Sequence, residues 1–242
     1  MKYIYRNTSV FYKFVDRKKV VTNVYLHGWG CSHKNLLFCE DEMKNQNSLF
    51  IDFPPFGKSG RVKGWSIFTY ANMVIALCTH LGITKANLFG HSFGGRVALI
   101  VAVLCKDLTN KLILIDSAGL KPRRSVFFHL KVANFKLRRS LGLKTRDISS
   151  ADYQKLDDDM KGVFKSVVNT HLDEFLPYVR CETLIIFGKN DRETPIYMAK
   201  RFKEKIPCSS LVLLDNAGHF CFDDRRIEFL YMTKKFVETT CE

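Results

Sequence analysis

The sequence predicts an α/β fold built on a mostly parallel, doubly wound sheet. Three observations carry that expectation. Short apolar runs that read as buried strands alternate with stretches of helical apolar spacing. The loops holding the chain's polar motifs fall at the carboxyl ends of those runs, where open α/β sheets gather their chemistry. Ser92 lies in Gly90-His91-Ser92-Phe93-Gly94, between a strand and an apolar helix. At 242 residues, 46% hydrophobic and 26% charged, the chain fits one such domain with room for a small insertion.

Taken in order, Tyr3-Ile4-Tyr5, then Asn7-Thr8, then residues 10–15 read as an antiparallel hairpin. Residues 20–26 form a strand ending at His27-Gly28-Trp29-Gly30. Residues 49–52 form a short strand that ends before Pro54-Pro55-Phe56-Gly57-Lys58-Ser59-Gly60. Residues 68–81 have helical apolar spacing, with Gly82 as the stop. The run at Leu88-Phe89 ends the strand before Ser92, and residues 96–105 form the helix after it. Further strands span 111–115, ending at Asp116, then 183–187, ending at Gly188, and 211–214. A terminal helix covers 229–237.

The spacing breaks once, between Asp116 and Thr183, where helical stretches occur without a clear strand. Residues 119–178 are therefore expected to form a small helical cap over the carboxyl edge of a core made of 1–118 and 179–242. The cap opens on a basic stretch, from Lys121, Arg123 and Arg124 to Lys144 and Arg146, with no Asp or Glu. Phe127, Phe128, Leu130 and Phe135 interleave with those charges, so the segment covers a pocket with its apolar face or lies on a membrane. With a net charge of +14, acidic partners are favoured at encounter: an acidic carrier or an anionic surface. No nucleic-acid-binding motif accompanies the charge.

Eight cysteines without a C-x-x-C pair or zinc-finger spacing fit a reducing cytoplasm. The first 14 residues lack the apolar stretch of a signal peptide, and no apolar run is long enough to span a bilayer. No nucleotide-binding motif occurs, and neither cofactor nor metal is expected. Asp157-Asp158-Asp159 reads as a solvated acidic patch, since consecutive helical residues cannot all face one ion.

A serine hydroxyl needs a base to act as a nucleophile. His219, in Gly218-His219-Phe220 after the last strand, is the expected base for Ser92. His27 is expected to prop its loop, His91 to point away from the elbow, and His33, His80, His129 and His171 to lie on the surface or in the cap. The base needs an acid to fix its tautomer. Asp191, in the loop after 183–187, is the expected acid, with Asp116 as the rival. Backbone N–H groups of Trp29 and Phe93 are the expected oxyanion donors. The side chains of Trp29, Phe93 and Phe220 are expected to touch substrate.

Together these residues resemble the α/β-hydrolase fold superfamily over nearly the whole chain. The matching elements are Leu26-His27-Gly28-Trp29-Gly30, Asp52-x-Pro54-x-Phe56-Gly57-x-Ser59, Gly90-His91-Ser92-Phe93-Gly94-Gly95, Gly188-x-Asn190-Asp191 and Gly218-His219-Phe220. Pro55 stands where the family pattern usually has glycine. The resemblance implies a serine hydrolase that cleaves a small-molecule carboxylic ester through an acyl-enzyme on Ser92. A serine at this position argues against the dehalogenases and epoxide hydrolases of the superfamily, which use an aspartate. Thioesterases, carbon–carbon bond hydrolases and ligand receptors with little turnover are the alternatives of the same fold. His27-Gly28-Trp29-Gly30 is also similar to the loop of the carboxylesterase of biotin synthesis. That enzyme's ester rides on an acidic acyl carrier protein, which the basic cap would suit.

Overall fold

The computed structural model describes residues 1–123, 154 and 156–239. Eight strands form one sheet: β1 (Lys2–Tyr5), β2 (Thr8–Val15), β3 (Val21–Leu26), β4 (Asn47–Ile51), β5 (Lys85–His91), β6 (Thr109–Ile115), β7 (Glu182–Gly188) and β8 (Ser209–Leu214), in the order β1-β2-β4-β3-β5-β6-β7-β8. β1 pairs antiparallel with β2, and β2 with β4; all later pairings are parallel. The hairpin turns on Arg6 and Asn7, both at positive φ (46° and 61°), the handedness that suits a two-residue connection.

Helices cover both faces. On one face α2 (Ile67–His80) and α3 (Phe93–Leu104) pack with α4 (Asp158–Asn169) and α5 (Ile196–Lys205). On the other lie α1 (Cys39–Glu42), α6 (Cys221–Asp224) and α7 (Arg226–Glu238). The sheet centre is therefore buried on both sides, which is why β4 and β7 read as near-continuous apolar runs rather than alternating ones. Each fully buried Leu, Ile or Phe there contributes about 1.5–3 kcal/mol. α2 begins where the Ser66 hydroxyl accepts the Thr69 N–H and ends before Gly82, at φ +68°.

Chain order reverses around β3. The connection from β3 to β4 runs one way along the sheet, and that from β4 to β5 crosses back to β3's other side. The switch lies at the carboxyl ends of β3 and β5, the place where ligands bind in open α/β sheets.

Several elements depart from expectation. α5 was not expected: its buried Met198, Ala199 and Phe202 form a narrow stripe in a charged segment, too thin to read as a period. α1, α6 and a 3-10 turn at His33–Leu36 are each only four residues long, too short for an apolar position to recur one turn later and announce them. His33 is not a surface or cap residue. It is buried, and its Nδ1 and backbone N–H reach Asp52 Oδ1 at 2.8 and 2.6 Å.

Of the expected cap, residues 124–153 and 155 lie outside the described residues, and with them His129 and most of the basic stretch. Of that stretch, Lys121 and Arg123 are described and exposed; the Arg123 guanidinium stacks on the Tyr197 ring. α4 is the main described element between β6 and β7. Asp157 caps it by accepting the Met160 N–H at 2.9 Å, while Asp158 and Asp159 pair with Lys161 and Lys63. With Arg61 also 4.0 Å from Asp157, the acidic triplet is thus a helix cap and three ion pairs. Arg96, buried on α3, donates to the Val167 and Thr170 carbonyls at the other end of α4 and ties this helix to the core. The cysteines among the described residues are free thiols. Among those residues no helix is long and apolar enough to cross a membrane.

Candidate active site

Ser92 occupies the corner between β5 and α3, at φ 49° and ψ −108°. A non-glycine residue held at positive φ costs on the order of 1–3 kcal/mol, so the surroundings must impose it. The Ser92 N–H donates to the Ile115 carbonyl at 3.0 Å, and its own carbonyl accepts from Gly95 and Ala118. Close packing does the rest. A Cβ on Gly94 would stand 2.1 Å from the Leu26 carbonyl oxygen, and one on Gly90 would stand 2.6 Å from the Gly94 carbonyl oxygen. Only glycine lets α3 start this close to β3.

His219 sits in the loop after β8, and its Nε2 lies 3.0 Å from Ser92 Oγ. Its Nδ1 lies 2.9 Å from Asp191 Oδ2, in the loop after β7. An ionised carboxylate can only accept, so the Nδ1 carries the proton and Nε2 is free to receive one from the hydroxyl. The rival acid is elsewhere engaged. Asp116 Oδ1 accepts the Gly188 N–H at 2.8 Å and Oδ2 the Cys221 N–H at 3.1 Å. It thereby joins the end of β7 to the helix that follows His219. Burial pushes its carboxyl up to about 6, against the pull of those hydrogen bonds.

Burial opposes charge on both members of the Asp191–His219 pair, yet the pair overcomes it. Burial alone would raise the Asp191 carboxyl; hydrogen bonds from His219 and Thr194 outweigh it and hold the group below its ordinary range. Burial alone would lower the His219 imidazole; Asp191, then Glu193 and Asp116, outweigh it and raise it above 6.5.

The other two histidines of the crevice are struts. His91 is held down to about 3, chiefly by burial and then by the neighbouring His219. It is neutral at pH 7, and its Nε2–H donates to the His219 carbonyl at 2.7 Å. It faces the His219 backbone and not the Ser92 hydroxyl. His27, lowered to about 4 by burial, accepts the Phe53 N–H on Nε2 at 2.8 Å and spans to Gly28 O through Nδ1. It ties the loop after β3 to the loop after β4. In that second loop, which carries Pro55, Asp52 Oδ2 accepts the Lys58 N–H, and Gly57 at φ +60° leaves room that a Cβ would take from the Asp52 carboxylate.

The expected substrate-contacting side chains differ in exposure. Trp29 is half-buried, its ring against Phe56, Phe93 and Phe164 of α4 at 4.9, 5.5 and 5.1 Å. Phe93 is only 3% exposed, packed among Phe53, Tyr70 and Trp29, so its ring serves the core. Phe220 is 39% exposed beside His219. Phe93 begins α3, where the first N–H groups of a helix lack carbonyl partners. Trp29 follows β3, the strand α3 starts against. The two expected donor amides therefore belong to adjoining segments.

Two further side chains, absent from the sequence expectations, touch the Asp191–His219 pair. Thr194 Oγ1 lies 2.5 Å from Asp191 Oδ2, and Glu193 Oε2 lies 3.3 Å from His219 Nε2. Their positions depend on a turn in which Asp191 Oδ1 accepts the N–H groups of both. Its only sequence trace is an aspartate followed by a threonine three residues later.

Comparison with known proteins agrees with this architecture. The model of the alpha/beta hydrolase family matches residues 24–231. The uncharacterized hydrolase YugF of Bacillus subtilis (strain 168) is 25% identical over 247 residues, covering 90% of each protein. Among solved structures, MGS-M2, an alpha/beta hydrolase enzyme from a Medee basin deep-sea metagenome library, superposes with a TM-score of 0.81 at 19% identity. It covers 100% of this chain and 98% of its own. An esterase (EaEST) from Exiguobacterium antarcticum gives a TM-score of 0.76 at 22% identity, covering 96% of each chain. At these identities the structural likeness speaks for the fold.

Proposed function

The chain belongs to the alpha/beta hydrolase family, and from that premise we propose that it cleaves a carboxylic ester through an acyl-enzyme on Ser92. The observation that carries the reading is the unbroken run of hydrogen bonds from Ser92 Oγ through His219 to Asp191, at 3.0 and 2.9 Å. In this reading residues 1–118 and 179–242 are the hydrolase core and 119–178 the cap.

The chemistry follows from the atoms. Ser92 Oγ attacks the ester carbonyl carbon while its proton passes to His219 Nε2. Asp191 stabilises the imidazolium and keeps the other proton on Nδ1. The carbonyl oxygen, now an oxyanion, takes hydrogen bonds from the Trp29 and Phe93 N–H groups, the second at a helix N-terminus that favours negative charge. His219 then returns its proton to the leaving alcohol, and the acyl group stays on Ser92. Water, deprotonated by the same Nε2, attacks the acyl carbon; the bond to Ser92 Oγ then breaks as Nε2 returns the proton to that oxygen, which releases the acid and restores the hydroxyl. Trp29 and Phe220 flank this centre and contact the substrate. A small-molecule ester is the substrate class; the basic segment from Lys121 to Arg146 favours one presented on an acidic carrier or anionic surface.

The test pairs turnover of p-nitrophenyl esters, from acetate to long acyl chains, with labelling by a fluorophosphonate. Wild type is expected to hydrolyse at least one ester and to bond the probe at Ser92; Ser92→Ala is expected to do neither. Probe labelling without ester turnover would move the reading to a thioester or carbon–carbon substrate. Undiminished turnover by Ser92→Ala would refute the nucleophile.

A further inference from the structure

Nε2 of His219 faces two oxygens: Ser92 Oγ at 3.0 Å and Glu193 Oε2 at 3.3 Å. The ester reading uses the first and leaves the second unexplained. In resting His219 the proton is on Nδ1, so Nε2 presents a lone pair, to which a carboxylate has nothing to donate. The Glu193 contact becomes attractive only once Nε2 carries a proton.

The backbone aims this carboxylate. Asp191 Oδ1 accepts the Glu193 N–H at 2.8 Å and the Thr194 N–H at 3.0 Å, while its Oδ2 holds His219. One aspartate thus fixes both the imidazole and the residue from which Glu193 projects. The Glu193 side chain is 70% exposed, whereas those of His219 and Asp191 are 10% and 0% exposed, so it stands on the solvent side of the base. Its charge also reaches Cys31 in the loop after β3, where it adds to burial in raising the thiol.

The other titratable groups facing His219 are Asp191, Asp116 and His91. Asp191 is committed to Nδ1, Asp116 to Gly188 and Cys221, and His91 is a neutral donor to the His219 carbonyl. Among these groups only the Glu193 carboxylate is open to solvent and therefore to an arriving substrate.

We propose that Glu193 is a specificity-determining residue, an anionic screen on the reactive nitrogen of His219 that favours esters carrying a positive charge near the scissile bond and disfavours those carrying a negative one. The proposal rests on the ester reading. Glu193 raises the His219 imidazole in the same way, so it also moves the acid limb of the pH profile upward.

The experiment compares butyrylcholine with its uncharged isostere, 3,3-dimethylbutyl butyrate, in wild type, Glu193→Gln and Glu193→Asp at low salt. Wild type is expected to favour the cationic ester in kcat/KM by about 2- to 5-fold, the range for an exposed charge pair. That ratio is expected to fall to about one in Glu193→Gln, to persist in Glu193→Asp, and to shrink in wild type at high salt. Using a ratio removes any general loss from imperfect folding. An equal ratio in wild type and Glu193→Gln overturns the proposal. If wild type turns over neither ester, the ester reading has failed for this pair, and NMR titration of His219 decides the contact. A lower midpoint in Glu193→Gln supports it, and an unchanged midpoint overturns it.

Discussion

Replacing Asp191 by Asn tests the proposed mechanism at its most constrained atom. The side chain accepts on both oxygens: Oδ1 takes the Glu193 and Thr194 N–H groups, and Oδ2 takes His219 Nδ1–H and the Thr194 hydroxyl. An amide must place its NH2 at one of these two positions. At the Oδ1 position it would point hydrogens at two backbone N–H donors that cannot reverse. The amide oxygen is therefore forced into that position, and the NH2 takes the place of Oδ2. There it donates to His219 Nδ1, which drives the imidazole proton onto Nε2. Glu193 Oε2, 3.3 Å from Nε2, holds that tautomer in place. The nitrogen that must receive the Ser92 proton is then already protonated.

The loss expected from the wrong tautomer is about ten-thousandfold in kcat, or about 5.5 kcal/mol of barrier. The assay is kcat and KM on the best p-nitrophenyl ester for wild type, Asp191→Asn and Ser92→Ala, with thermal melting as a control. The polar contacts are largely kept in number, so the melting temperature is expected to change little while kcat collapses. A kcat within tenfold of wild type, in a folded Asp191→Asn protein, refutes the tautomer argument and the role given to Asp191.

The remaining predictions concern the pH response and the elbow. In the proposed mechanism activity needs neutral His219, and that group is raised above its ordinary 6.5, so the acid limb of kcat/KM against pH is expected to have its midpoint above 6.5; a profile flat from pH 5 to 8 contradicts the base assignment. The same two shifts act on stability with opposite signs. The raised His219 contributes fully below pH 6.5 and loses its contribution as pH rises through its folded value, whereas the lowered Asp191 contributes above pH 3.8 and loses its contribution as pH falls, which urea midpoints across pH 3–9 would resolve. Gly94→Ala would put a methyl 2.1 Å from the Leu26 carbonyl oxygen, in backbone that cannot yield, and is expected to cost about 3 kcal/mol or more by urea denaturation; a loss under about 1 kcal/mol would show that α3 can shift away from β3.

What the sequence reveals about this site depends on how far each feature reaches along the chain. The elbow is legible because the glycines that relieve it are local: Gly90, Gly94 and Gly95 stand within a few residues of Ser92, although the clashes they avoid reach from its own turn to Leu26 of β3 and to Ser117 after β6. His219 and Asp191 are legible as residue types at strand ends, but choosing Asp191 over Asp116 needs the direction of a side chain. Both aspartates end parallel strands, and only the bonds of Asp116 to Gly188 and Cys221 show it bracing the scaffold. Strand ends are legible where they are apolar, and so is the start of β3, but the starts of β5 and β6 are not. β5 and β6 bear Asn87 and Asn110 near their starts, linked side chain to side chain at 2.7 Å, and Asn87 reaches Asn23 of β3 at 2.9 Å. A buried asparagine whose partner lies on another strand looks like loop to any apolar pattern, since the bonds that satisfy it are invisible along the chain. His33 is misplaced for the same reason, its partner Asp52 lying across a turn and a strand. Glu193 is the strongest case. Nothing in Asp191-Arg192-Glu193-Thr194 marks a carboxylate that reaches the reactive nitrogen; that follows only when one aspartate holds the backbone with one oxygen and the imidazole with the other.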